Sequence, residues 1–188
     1  HHPTIMFRRR LVAEAGIRYN ENFISLNDRQ FYYDISRRSR LANIPDVLYR
    51  YRFHKDMVSK RCKPEIYREQ CLFHDMWFKS GGIELSAEEK SVFDEYAAQG
   101  RCHIRDAEVL SRVEQVLAKL AAENARRQIV PAAEFSAICA QYLVKRCLNA
   151  VVYGGINSAE ILERTILPVR RNRLLQLCNL ALHWRGVK

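Results

Sequence analysis

The chain has 188 residues, 48% of them hydrophobic and 28% charged, which suits one folded domain or one and a half and argues against disorder. It contains no run of the roughly 18 apolar residues that a membrane span needs, and its opening residues lack the apolar stretch of a secretory signal. Lys and Arg number 31 against 21 Asp and Glu, a net charge of +10, and such an excess suits an anionic partner such as phosphate, nucleic acid or a membrane surface.

Residues 4–7 read as a short strand, with Ile5 and Phe7 opposite Thr4 and Met6. Residues 9–15 read as one or two helical turns stopped by Gly16, and 19–26 as irregular. Asn27 is a good N-cap, and 28–40 read as a helix that buries Phe31 and Ile35. Residues 41–54 read as extended, interrupted early by Pro45. From there Val47, Tyr49, Tyr51 and Phe53 take one face, while Leu48, Arg50, Arg52 and His54 take the other. That alternation gathers two guanidiniums and an imidazole on one side of a strand.

Past Cys62 the texture becomes helical. Pro64 suits a first helical position, and Gly81-Gly82 ends that helix. Ser86 with Glu89 spells a capping box for a helix closing near Gly100. Residues 106–127 carry Val109, Val113, Val116, Leu117 and Leu120 on one stripe, and 132–152 form a more apolar, central helix. Asn157 with Glu160 caps a short helix, and Pro168 opens a last one reaching about Trp184. A boundary near residue 62 thus separates a mixed segment, 1–62, from a helical one, 63–188. The expected fold class is α+β, with helices dominating. Its small, incomplete sheet takes strands from 4–7 and 47–53, and its open apolar face favours self-association.

Charge is concentrated at the two ends: residues 1–62 carry +7, 63–163 carry −3 and 164–188 carry +6. No zinc-finger or RNP-type motif accompanies it, so nucleic acid is not the expected partner. Six cysteines, at 62, 71, 102, 139, 147 and 178, include no Cys-x-x-Cys and read as reduced thiols of an intracellular protein. Cys71 with His74, and Cys102 beside His103, have no wider zinc-ligand pattern around them.

Three stretches carry a family resemblance. The first is His2-Pro3-Thr4-Ile5-Met6-Phe7-Arg8-Arg9. The second is Asn27-Asp28 opening an aromatic-rich helix. The third runs from Ala42-Asn43-Ile44-Pro45 through Val47-Leu48 to Tyr51-Arg52-Phe53-His54 and Val58-Ser59. In order and spacing they resemble the C-terminal half of the catalytic domain of family 2 glycosyltransferases, which have the GT-A fold. The likeness covers about a third of the chain.

The resemblance implies an inverting transfer of sugar from a nucleotide-sugar donor to a glycan or lipid-linked acceptor. It casts Asp28 as the general base that takes the acceptor hydroxyl's proton. It puts His54 near the donor diphosphate and a divalent metal, Mg or Mn in the full-length enzyme, with none expected on this fragment alone. Arg50 and Arg52 would add positive charge there. Read without the resemblance, Asp28 caps a helix and complements its dipole, His54 is a strand-end histidine, and Arg50 and Arg52 are surface or ion-pairing residues. Tyr32, Tyr33, Tyr49 and Tyr51 read as packing, with an aromatic acceptor platform as the lesser alternative.

The chain departs from the family pattern in three places. Asn27 stands where Glu is usual, and Asp34 where a basic residue is frequent. No Asp-x-Asp and no glycine-rich phosphate cradle occur in the 188 residues. With a start at His1 rather than Met, the expectation is a processed start or a fragment whose nucleotide-binding half lies upstream, inactive alone.

Residues 168–188 place Arg170, Arg171, Arg173, Arg185 and Lys188 around leucines and Trp184. They suit either an anionic membrane interface or a docked terminal helix. The expected location is cytoplasmic, peripheral to the inner face of the cell membrane. Two other readings stand beside the enzyme: a helical protein-interaction or scaffold module without catalysis, and a basic nucleic-acid binder resting on charge alone.

Overall fold

The computed structural model describes residues 2–52, 54, 63–98 and 102–154, and every regular element among them is helical. After a single 3-10 turn at His2–Thr4 come α1 (Arg9–Glu14), α2 (Asn27–Ser36) and α3 (Lys63–Gly81). Then follow α4 (Ala87–Val92), running into a π-helical turn at Phe93–Ala98, and α5 (Ala107–Arg127). The last is α6 (Ala132–Asn149), which passes into a second π-helical turn at Ala150–Gly154. The chain divides into two compact units between Trp77 and Phe78, inside α3.

The α+β expectation is corrected to all-α, because no strand forms among the described residues. Residues 5–8 are irregular, and 41–52 are irregular with a bend at Asp46. The alternation from Val47 onward does not sort side chains into an inner and an outer face: Val47 is 91% exposed and its neighbour Leu48 74%. Alternation becomes a strand only where a second strand satisfies the backbone amides and carbonyls, and neither segment has such a partner among the described residues.

In the first unit α2 carries the packing. Its apolar positions Phe31 and Ile35 lie four apart on one face and are both buried, as the sequence requires. Phe23 and Leu26, just ahead of α2, are buried as well. Asn27 does not cap this helix; it is the first helical residue, and Leu26 at the cap position offers no side-chain acceptor. A carboxylate from another element instead holds the residues that lead into it. Glu69 of α3 is buried, and its Oε1 accepts from the Ile24 amide at 2.7 Å. Its Oε2 accepts from Ser25 at 2.8 Å and from Leu26 at 2.9 Å. Three consecutive amides thus converge on one carboxylate immediately before α2. A buried charge is tolerated only when so bonded.

The second unit follows local rules closely. α3 ends in a Schellman arrangement: Gly82 has φ +68, its amide donates to Lys79 O at 3.1 Å, and Ile83 donates to Phe78 O at 2.9 Å. The capping box forms as written, with Glu89 N donating to Ser86 Oγ at 3.1 Å and Ser86 N donating to Glu89 Oε2 at 2.8 Å. Lys119 Nζ of α5 also bonds both Glu89 oxygens, at 2.7 and 2.9 Å. That ammonium, with the Ser86 amide, holds the Glu89 carboxyl below the usual carboxylate range.

Asp106 caps α5 by accepting from Val109 N at 2.8 Å. Val113, Val116, Leu117 and Leu120 are buried on the expected stripe, facing a core that includes Cys139, Leu143 and Cys147 of α6. The fully buried Asn124 closes the turn between these helices: its amide donates to Val130 O and its oxygen accepts from Val130 N, each at 3.1 Å. The expected helices near 157–160 and 168–184, together with Phe53, Cys62 and Cys178, lie outside the described residues. No helix among the described residues is long and apolar enough to cross a membrane.

The Glu69 contact has a measurable consequence. Glu69→Ala strips three amides of their acceptor, at about 1 kcal/mol or more each. Urea denaturation followed by circular dichroism should therefore show the first unit destabilised by about 3 kcal/mol. Glu69→Gln keeps the shape and one acceptor oxygen, and should lose less. Equal, sub-kilocalorie losses in both variants would contradict this role.

Candidate functional site

Asp28 sits in the first turn of α2, half-buried, where a negative charge is favoured by the helix dipole. Its Oδ1 accepts from the Arg29 amide at 2.7 Å. The carboxylate is therefore fixed from two directions: locally by this bond, and through the chain by the Glu69 contact to residues 24–26.

Around Asp28 the first unit assembles an aromatic wall. Phe31 is its centre. Tyr19 stacks on it at 4.2 Å and 12°, Phe7 meets it edge-on at 5.4 Å and 67°, and Tyr32 lies 6.5 Å away at 66°. Farther along α2, Tyr33 meets Phe73 of α3 edge-on at 6.0 Å. Burial pushes the Tyr19 and Tyr32 hydroxyls above the ordinary tyrosine range, and the Asp28 charge adds to the rise in both. Both phenols thus remain protonated at neutral pH and can donate or accept a hydrogen bond. Tyr19 comes from a stretch whose irregular sequence gave no sign of a role. Only the fold brings it to Phe31.

The other expected site residues do not join this wall. Arg50, Arg52 and His54 are exposed in the irregular segment, and none forms an ion pair or hydrogen bond with Asp28 among the described residues. Without a strand, the shared face that was to gather them is not realised. No group of three or more His, Cys, Asp or Glu side chains able to hold a metal occurs among the described residues. His54 thus belongs to no such group among the described residues. Among the described residues Cys71 with His74, and Cys102 with His103, likewise belong to no group of three or more such side chains.

A second constellation appears in the second unit. Asn149 Oδ1 accepts from Ile104 N at 3.1 Å, its amide nitrogen lies 3.3 Å from His103 Nδ1, and Tyr153 stacks on the His103 ring at 4.3 Å. This ties the segment before α5 to the end of α6. Gly154 belongs to the same junction: a Cβ there would collide with Ile104 O, so only glycine fits. The arrangement reads as a structural clasp. Of the cysteines, burial pushes the Cys139 thiol up to about 11, which leaves it a packing residue.

The electrostatic link between Asp28 and the two tyrosines can be tested by titration. Asp28→Asn should lower the pKa values of Tyr19 and Tyr32 but leave them above the ordinary value, because burial is the larger cause. Alkaline absorbance titration, with Tyr19→Phe and Tyr32→Phe for assignment, reads this. The sign extends to stability: a phenol whose folded pKa is raised stabilises the fold below about pH 10, and that stabilisation is lost as pH rises through its folded value.

Comparison with known proteins adds no relative: no family model, no curated protein and no solved structure matches the chain.

Proposed function

We propose that the first unit is the acceptor-side, base-bearing part of an inverting glycosyltransferase similar to family 2, with Asp28 as general base. The observation that supports this most is the presentation of Asp28. A half-buried carboxylate on a helix start is held by a loop clamped to Glu69 and is flanked by two tyrosines. General-base work needs a carboxylate that is fixed yet reachable, and this one is both. The ordered run of motifs from His2 to Ser59 is the second support.

In this reading the acceptor hydroxyl donates to Asp28. As its oxygen attacks the anomeric carbon, the proton passes to the carboxylate. The bond to the nucleoside diphosphate breaks in the same step, with its electron pair on the leaving oxygen. Tyr19 and Tyr32 offer apolar ring faces beside polar hydroxyls, which suit the two-sided surface of a sugar. Arg50, Arg52 and His54 stay candidates for the departing diphosphate, on the strength of the motif alone. Donor binding needs a half that residues 1–188 do not contain, since no Asp-x-Asp occurs in them. The acceptor is a glycan or a lipid-linked glycan.

The reading is tested by joining the chain to a donor-binding half, supplied from the coding sequence upstream of His1 or as a separate polypeptide. With nucleotide sugar, Mn²⁺ and acceptor, the joined enzyme should turn over, and Asp28→Asn should lower kcat at least about a hundredfold, the usual scale for losing a general base. The chain alone should give no turnover. Turnover unchanged by Asp28→Asn would remove Asp28 from the chemistry, and turnover by the chain alone would overturn its dependence on a second half.

A further inference from the structure

The segment that follows α2 is unlike the rest of the chain. Residues 36–52 are exposed without interruption. Leu41, Ile44, Val47, Leu48, Tyr49 and Tyr51 all present large apolar or aromatic side chains to solvent, Ile44 at 66% and Leu41 at 57%. None of residues 41–50 makes a hydrogen bond to another described residue. Arg37, Arg38, Arg40, Arg50 and Arg52 bracket this apolar stretch, with Asp46 its one acidic residue. An exposed apolar stretch flanked by one sign of charge suits an interaction surface.

We propose that residues 37–52 dock the protein on an anionic lipid surface. Charge complementarity carries the choice. Arginines pair with lipid phosphates through their planar forks. Tyr49 and Tyr51 are amphipathic rings of the type that settles at the headgroup level. Leu41, Ile44, Val47 and Leu48 reach beyond them toward the acyl boundary, and unpaired backbone groups find water and headgroups there. A paired strand is the weaker occupant: Pro45 and the bend at Asp46 interrupt any ladder. Antiparallel pairing of two copies about Arg50 would set Leu48 against Arg52 and Arg50 against itself, and like charges directly opposed are destabilising. The proposal does not rest on the transferase reading or on residues 168–188, and it gives Arg50 and Arg52 to lipid phosphate in place of the departing diphosphate.

Flotation of the full chain with vesicles of phosphatidylcholine containing about 30% phosphatidylserine tests it, with pure phosphatidylcholine as control. The chain should float with the anionic vesicles and not with the neutral ones, and raising salt should weaken the binding. Val47→Asp with Leu48→Asp should lower partitioning at least tenfold. Arg38→Gln with Arg40→Gln should lower it about 25-fold, fivefold per arginine. These four side chains are exposed, so unchanged circular dichroism will show that the variants fold. Absence of vesicle binding overturns the proposal. So does binding that survives Val47→Asp with Leu48→Asp but disappears when Arg170, Arg171 and Arg173 become Gln. Self-association or capture of an acidic peptide through residues 41–52, without affinity for vesicles, overturns it as well.

Discussion

Three backbone amides and one carboxylate organise the first unit. Residues 24–26 bend into α2, and their amides point to one place. Glu69 takes all three at 2.7–2.9 Å. The contact spans more than forty positions of sequence, so it forms only when α3 is in place, and it makes α2 dependent on α3. Phe31 and Ile35 can then be buried on a helix of only 10 residues, which in isolation would be marginal. The position of Asp28 is a consequence of the same contact. The carboxylate proposed to do chemistry is held by another carboxylate that is itself fully bonded.

The second unit is held by several separate polar closures around a larger apolar core. Ser86 and Glu89 begin α4, and Lys119 of α5 bonds the same Glu89. Asn124 closes the α5–α6 turn with two bonds to one residue, and Asn149 joins the end of α6 to the segment at 103–104. Each closure satisfies helix-end or turn groups that the apolar stripe cannot. What distinguishes the first unit is the irregular, exposed stretch it leaves after α2. Apolar side chains there stay in water, beside five arginines.

Local signals in the sequence were the readable ones. Ser86 with Glu89, Gly82 and the Phe31–Ile35 spacing act through neighbours within a turn, and each does in the structure what its chemistry requires. The alternation from Val47 to His54 misled because period two records only which faces a strand would have. It does not supply the second strand that makes a strand stable. Asn27 misled because the helix begins one residue earlier than its composition suggests, so Asn27 is already helical and Leu26 holds the cap position. Asp28 could be singled out from sequence as a helix-start carboxylate. Its neighbour Tyr19 and its support Glu69 could not, since both depend on contacts between residues far apart in the chain.

The central claim is that Glu69 holds the loop that presents Asp28. Amide hydrogen exchange at Ile24, Ser25 and Leu26 tests it most directly. The account expects these three amides, which lie outside any helix, to exchange as slowly as those in the middle of α2, and to lose protection together in Glu69→Ala. Exchange at unprotected rates in the native chain, with α2 itself protected, would contradict it.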